Sequence, residues 1–164
     1  MKKRAKKPIT ASDKERLLLR NPWEVKLYER ICEHHTRLKL KVVRRIMKRA
    51  KTTREGLIVR SRKHKVACDI TSEQLLKLIY DAYGKPCKYC GKTMKIANMA
   101  VDHIHPISKG GNSTVENLQI ICQTSNRVKG SLEEQNFQIL LDWLETVPPE
   151  LKKDVSIRLA RGII

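Results

Sequence analysis

The fold is decided by residues 100–122, which read AVDHIHPISKGGNSTVENLQIIC. Residues 100–105 alternate in polarity over a short length, which predicts a β-strand, and residues 118–121 predict a second strand. The Lys-Gly-Gly-Asn sequence at 109–112 predicts the loop between them. A helix that begins near Cys122 would complete a strand–strand–helix unit.

Helices are predicted on both sides of this unit. Upstream, Thr71 and Gln74 have capping-box spacing and precede a helical stripe of apolar residues. Downstream, Ser131 and Glu134 have the same spacing, and residues 150–162 predict a final amphipathic helix. We therefore expect a fold of the α+β class.

The first third of the chain differs from the rest in composition. Residues 1–9 are a basic arm, and residues 23–51 predict one long basic helix, because apolar residues recur along them at about every fourth position. Residues 52–66 look like a linker, since they combine Gly56 with a polar run. The expected parts are a basic helical extension with its linker over 1–66, a compact core over 67–147 and a C-terminal helix over 148–164.

The chain carries 35 Lys and Arg residues against 17 Asp and Glu, a formal net charge of +18. Residues 1–66 hold 23 of the basic residues and only 6 of the acidic ones. A solvated surface is the usual explanation of a charged run, but an excess this one-sided favours binding to nucleic acid. We expect this extension to bind DNA. Only 7 aromatic residues are present, few for stacking on single-stranded bases, so duplex DNA is favoured.

The sequence argues against a membrane protein and against a secreted one. No run of about 18 apolar residues occurs, and the basic start lacks the apolar stretch of a signal peptide. Of the five cysteines only Cys87 and Cys90 are closely spaced, which suggests metal binding before disulfides. We expect an intracellular protein, in the host cytoplasm or nucleoid if the source is a bacterium or a phage.

Asp102 and His103 form a pair that suits the hydrolysis of phosphodiester bonds. This reaction needs a deprotonated water and a cation that neutralises the leaving oxygen. Adjacent strand residues point to opposite faces, so the two side chains can take different roles. Asp102 is a hard oxygen ligand for an ion such as Mg²⁺, and a neutral His103 is a general base. The alternative for His103 is an ordinary structural histidine.

Residues 87–129 resemble the HNH, or ββα-metal, endonuclease family. The resemblance rests on the Asp102-His103 pair, on Asn117 before the second strand and on Asn126. It implies a metal-dependent endonuclease that hydrolyses DNA with one metal ion and leaves 5′-phosphate and 3′-hydroxyl ends. Enzymes of phage, mobile-element and restriction type are all compatible with it.

The resemblance also implies a role for each matching residue. His103 corresponds to the general base, and Asn117 to the asparagine that ties the loop and orients that base. Asp102 and Asn126 correspond to ligands of the catalytic metal, which would be Mg²⁺ or another divalent cation such as Mn²⁺ or Ni²⁺. Lys129 corresponds to a cation near the phosphate.

His105 and Arg127 have two interpretations each. His105 would share a strand face with His103 and so reach the substrate or the metal, or else pack beside the loop. Arg127 would contact a phosphate, or else lie on the surface.

The cysteines depart from the family pattern, in which two Cys-x-x-Cys pairs often hold a structural zinc ion. Cys87 and Cys90 match the first pair, but Cys122 stands alone because Ser125 occupies the fourth position. A neutral hydroxyl is a poor zinc ligand. The interpretations that stay open are a structural Zn²⁺ on three cysteines, with Cys68, His64, His105 or water as the fourth ligand, and cysteines that serve as small buried apolar residues.

A protein that binds nucleic acid without cutting it is the main alternative function. Such a protein would use the cysteine knuckle and the basic helix to bind DNA or RNA. It has no need of the combination of Asp102, His103 and Asn126, and this combination favours the nuclease.

Overall fold

The computed structural model describes residues 40–161 of the chain. Five α-helices, a short 3₁₀ helix and a two-stranded sheet occur within that range. In chain order they are α1 (Leu40–His64), α2 (Ser72–Ala82), β1 (Met99–His103), the 3₁₀ helix (Ile107–Lys109), β2 (Leu118–Cys122), α3 (Gln123–Lys129), α4 (Glu134–Thr146) and α5 (Pro149–Arg161). The predicted α+β class and the strand–strand–helix unit are confirmed.

The chain divides into two compact units, Met1–Lys48 and Arg49–Ile164. Both strands and α3 belong to the second unit. The basic arm and the first part of the predicted long helix lie outside the described residues. Within residues 40–161, no helix is both long and apolar enough to cross a membrane.

β1 and β2 pair in an antiparallel sheet. Asp102 lies opposite Gln119, and His103 lies opposite Leu118. β1 ends two residues earlier than predicted, because after His103 the chain turns through Pro106 into the 3₁₀ helix.

α3 follows β2 with no loop between them. Cys122 is both the last residue of β2 and the N-cap of α3. Its Sγ accepts a hydrogen bond of 3.3 Å from the backbone N–H of Ser125. This bond satisfies one of the free N–H groups in the first turn, and it fixes where the helix begins. α3 then packs against both strands.

The loop between the strands closes tightly at Gly111. A Cβ atom there would lie 1.9 Å from the carbonyl oxygen of His105 and 3.0 Å from Nδ2 of Asn117. Every other amino acid would clash with backbone at this point, so the predicted Gly-Gly loop depends on its second glycine.

The prediction of a linker over residues 52–66 is wrong. α1 continues without a break to His64, and Leu57 and Ser61 within it are buried. Arg54 ties this part of the helix to the chain that follows, because its Nε donates to the carbonyl oxygen of Ile70 at 2.9 Å. Residues 49–64 are therefore a structural part of the unit that holds the strands.

The other helices complete the core around the sheet. The predicted capping box of Thr71 and Gln74 is confirmed at the start of α2, where Leu75, Leu76 and Ile79 are buried. α2 packs on β2, and α5 packs on α3.

The capping box predicted for Ser131 and Glu134 does not form. α4 begins at Glu134 with Glu133 as its N-cap residue, and no side chain caps it. The Glu133 carboxylate binds His105 and Lys109 instead, and these contacts draw it away from the helix end.

Candidate active site

Asp102 is buried and already paired. Its Oδ2 lies 3.0 Å from Lys129 Nζ and accepts a hydrogen bond of 2.8 Å from Gln119 Nε2. Within the described part of the chain, Oδ1 has no hydrogen-bond partner and is not sealed from solvent. Burial raises the pKa of the Asp102 carboxyl, while the hydrogen bonds from Gln119 and Lys129 oppose that rise. One carboxylate oxygen thus stays available to a metal ion.

Lys129 is a fully buried cation, with a side chain that is 0% exposed. Besides pairing with Asp102, its Nζ donates to the backbone carbonyl oxygen of His103 at 2.8 Å. The structure therefore does not place this ammonium where a phosphate would meet it. It lies inside the protein and ties the last turn of α3 to the end of β1, which is the kind of partnering that a buried charge requires.

Gln119 connects Asp102 to a second acidic residue. Its Nε2 lies 3.0 Å from the Tyr89 hydroxyl and 3.2 Å from Glu134 Oε2. The Tyr89 hydroxyl donates to the same carboxylate oxygen, and burial raises the pKa of Tyr89 above its usual range. Sequence reasoning missed Gln119, Tyr89 and Glu134. Pairing the two predicted strands in register would have placed Gln119 beside Asp102.

His103 is held by hydroxyl groups on its Nε2 side. Nε2 lies 2.9 Å from Ser113 Oγ, which lies 2.8 Å from Ser61 Oγ of α1. Both serines are buried. Across residues 40–161, Nδ1 of His103 has no hydrogen-bond partner and is not sealed from solvent. Sequence reasoning missed both serines, because nothing in the spacing of the motif points to them.

The ring of His103 is neutral at physiological pH. Burial, together with the positive charges of Arg60, Lys129 and His64, lowers its pKa from 6.5 to about 4. A neutral ring carries the lone pair that a general base needs.

Asn117 ties the two ends of the loop together. Its Oδ1 accepts from the His105 backbone N–H at 2.8 Å, and its Nδ2 donates to the carbonyl oxygens of His105 and Asn112 at 3.1 and 2.8 Å. The Ile104 N–H also donates to the Asn117 carbonyl oxygen. These bonds fix the backbone immediately after His103, so Asn117 acts on the chain that carries the histidine rather than on its ring.

Asn126 faces a cleft of about 670 Å³. The cleft runs between α1 and β1 and is lined by residues from both and by Asn126 of α3: Arg49, Thr52, Thr53, Glu55, Gly56, Val59, Arg60, Ala100, Val101 and Asn126. No hydrogen bond joins Asn126 to Asp102 in the described part of the chain, and Asp102 is not among the residues that line this cleft.

The side chains of Cys87, Cys90 and Cys122 converge. Their three sulfur atoms lie within 4.8 Å of one another, and Ser125 Oγ lies 3.3 Å from Cys122 Sγ and 3.6 Å from Cys87 Sγ. Although burial opposes the change, hydrogen bonds from Cys122, Tyr89 and Ser125 lower the pKa of Cys87 to about 7. A lowered pKa favours the thiolate, which is the form that binds metal.

Residues 87–132 match the HNH endonuclease family model. This HNH segment contains the cysteine knuckle, both strands and α3, and it ends just before α4. The resemblance found in the sequence is confirmed. No match to the chain is found among curated proteins. The match indicates nuclease activity in general terms, and it covers the site residues from Cys87 to Lys129 but not those on α1 or Glu134 of α4.

Within the HNH segment, both ring nitrogens of His105 contact protein groups. Its Nδ1 lies 2.9 Å from Glu133 Oε2, and its Nε2 lies 3.2 Å from the carbonyl oxygen of Lys109. It also lies beyond the end of β1, so it does not share a strand face with His103. Arg127 is exposed and has no hydrogen bond or ion pair within residues 40–161.

Proposed function

We propose that this protein is a metal-dependent endonuclease that hydrolyses phosphodiester bonds of duplex DNA. The observation that carries the proposal is His103: a buried, neutral imidazole directly after Asp102 in the HNH segment, with no hydrogen-bond partner for Nδ1 within residues 40–161. A protein that only binds nucleic acid does not need a neutral imidazole at this point next to Asp102.

His103 is the proposed general base. Its Nδ1 accepts a proton from the water that attacks phosphorus, and Nε2 stays bound to Ser113. Asn117 holds the backbone on which the ring is mounted. Attack on the phosphorus with departure of the 3′ oxygen gives a 5′ phosphate and a 3′ hydroxyl.

Asp102 and Asn126 are the proposed ligands of the catalytic metal. Both offer hard oxygen atoms, which suit Mg²⁺, Mn²⁺ or Ni²⁺, and Asp102 keeps Oδ1 free although Oδ2 is taken by Lys129 and Gln119. A divalent ion held there would stabilise the charge that develops on the leaving oxygen. Lys129 holds Asp102 in position, and its charge opposes the rise that burial causes in the pKa of Asp102.

The cleft beside Asn126 is the proposed path of the DNA backbone. Arg60 lies on its wall and carries a charge that also reaches His103. α1 carries further exposed cations that are close in sequence to the residues lining the cleft, namely Lys51, Arg62 and Lys63. We propose that these cations bind the phosphates of duplex DNA and that the basic residues before position 40 add to this binding.

The thiol cluster fits a structural Zn²⁺ with three protein ligands. Cys87, Cys90 and Cys122 supply soft donors at suitable mutual distances. The Ser125 hydroxyl is hydrogen-bonded to two of the sulfurs, so the fourth ligand would be water. Such an ion would brace the knuckle against the start of α3 and would take no part in hydrolysis.

A plasmid assay with controlled metal tests the proposed function. We expect supercoiled DNA to be nicked or linearised in the presence of Mg²⁺, Mn²⁺ or Ni²⁺, and to stay intact in EDTA, because the ion is part of the reaction. DNA binding, measured by fluorescence anisotropy in EDTA, should persist. Binding without cleavage under every metal would instead establish the alternative, a protein that binds nucleic acid and does not cut it.

The lowered pKa of His103 makes stability depend on pH. The unfolded histidine, with a pKa near 6.5, takes up a proton before the folded one does. The contribution of the neutral ring is therefore complete above pH 6.5 and is lost as the pH falls towards 4. At pH 5 the loss should be about 2 kcal/mol. Urea unfolding of the parent and of His103→Asn at pH 7 and pH 5 measures it. Equal losses in both proteins would show that this pKa is not lowered.

A further inference from the structure

The two nitrogens of His103 have different surroundings, and the bond between Nε2 and Ser113 can run in either direction. A neutral imidazole has one N–H and one lone pair, and which tautomer is present depends on the partners of the two nitrogens. Within the described range, Nε2 has the Ser113 hydroxyl and Nδ1 has no protein partner. The nitrogen that meets water is therefore Nδ1.

We propose that Ser113, supported by Ser61, is a positioning residue that keeps the proton of neutral His103 on Nε2 and leaves Nδ1 as the basic nitrogen. The inference rests on the proposed role of His103 as general base. In this arrangement Nε2–H donates to Ser113 Oγ at 2.9 Å, and the Ser113 hydroxyl donates to Ser61 Oγ at 2.8 Å.

Ser113 is fixed on every side. Its backbone N–H donates to the Ala67 carbonyl oxygen at 2.9 Å, and its own carbonyl oxygen accepts from the N–H groups of Asp69 and Ile70 at 3.2 Å. Its side chain is fully buried. The hydroxyl oxygen thus stands at a defined point, and the imidazole ring is oriented against it.

Ser61 Oγ can accept a hydrogen bond from the Ser113 hydroxyl. Ser61 is 1% exposed and projects from α1, a helix outside the HNH segment. The bond between the two hydroxyls can run in either direction. A basic Nδ1 requires Ser113 to donate to Ser61, because Ser113 Oγ then accepts Nε2–H. If Ser113 donated to Nε2 instead, the ring proton would lie on Nδ1, and the lone pair that the reaction needs would be lost.

The same bonds serve after proton transfer. Once Nδ1 has accepted a proton, both nitrogens of His103 are N–H donors. Ser113 Oγ still accepts from Nε2, so no hydroxyl has to rotate during the step. A His103 ring in the Nε2–H form therefore already makes the Nε2 hydrogen bond that the protonated ring needs.

The experiment reads the tautomer directly and reads activity separately. The full-length protein is labelled with ¹⁵N-histidine, and the ¹⁵N shifts and couplings to ring protons at pH 7 distinguish Nε2–H from Nδ1–H. The His103 signals are assigned by their loss in His103→Gln. We expect Nε2–H in the parent, and a shift towards Nδ1–H or a mixture in Ser113→Ala.

Plasmid cleavage by the same proteins gives the second readout. We expect kcat to fall about 10- to 100-fold in Ser113→Ala with KM for DNA unchanged, the usual range when a partner that orients a reacting group is lost. Ser61→Ala keeps Ser113 but removes the acceptor of its proton, so its kcat should fall by a similar factor. Ser156→Ala is the matched control, because Ser156 bonds only to the Lys152 carbonyl oxygen on α5, and it should behave as the parent.

Two results overturn the proposal: an Nδ1–H tautomer in the parent, or a Ser113→Ala protein with the parent's tautomer and kcat. If Ser113→Ala does not fold, the parent tautomer and Ser61→Ala still decide. A parent that shows Nε2–H yet cuts no DNA with any metal would refute the proposed function, and the tautomer assignment would stand without it.

Discussion

His103→Ala is expected to lower the rate of DNA cleavage about a thousandfold, with little change in DNA affinity. General base catalysis contributes about 10²- to 10⁴-fold to such reactions, and His103 is the buried neutral imidazole that the HNH segment offers for this role. The neutral ring carries no charge, so its loss should have little effect on binding to phosphates. Single-turnover plasmid cleavage and anisotropy measure the two quantities.

His64→Ala is the matched control for this variant. His64 is exposed at the end of α1 and influences His103 only through its charge. Its replacement should leave the cleavage rate within about threefold of the parent, since exposed charges act weakly through solvent. If His103→Ala cuts at the parent rate while His64→Ala does not, the base has been assigned to the wrong histidine.

Lys129→Met is expected to destabilise the protein by about 3–5 kcal/mol, the usual cost of removing one partner of a buried ion pair. Methionine fills a similar volume, so the main effect is electrostatic: the Asp102 carboxylate, 6% exposed, loses its cation. The carbonyl oxygen of His103 also loses a donor. Thermal unfolding should show a fall in Tm of about 10 °C.

Lys88→Met tests whether burial is the reason. Lys88 pairs with Glu134 at 2.6 Å, closer than Lys129 to Asp102, but its side chain is 48% exposed. An exposed pair contributes at most about 1 kcal/mol, so this variant should unfold near the parent temperature. Adding Asp102→Asn to Lys129→Met should recover part of the lost stability, because no unpaired charge is then buried. Equal effects of the two lysine variants would contradict this account.

The sequence was sufficient for the central unit because its signals are local. The alternation over residues 100–105 and 118–121, and the Gly-Gly loop between them, specify two strands and a turn without reference to the rest of the chain. The capping box at Thr71 is local in the same sense. The motif residues could be placed on these elements, and the family model matches the range 87–132 that contains them.

The predictions from the sequence were wrong where the local structure depends on contacts with residues that are distant in the chain. Gly56 and the polar run after it suggested a linker, but Leu57 and Ser61 are buried by the fold and keep α1 helical to His64. Ser131 and Glu134 have the spacing of a capping box, but the box does not form, and the Glu133 carboxylate between them binds His105. The pKa of His103 depends on burial and on charges from α1 and α3, which no local pattern records.

The direct connection between β2 and α3 determines the direction in which each side chain of α3 points. Cys122 ends the strand and Gln123 begins the helix, so no loop residues lie between them to absorb a change of length. One residue inserted at this join would rotate everything on α3 by about 100°. Asn126 would then leave the cleft and Lys129 would leave Asp102. The positions of Asn126 and Lys129 in the candidate site therefore depend on how many residues separate each of them from the end of β2.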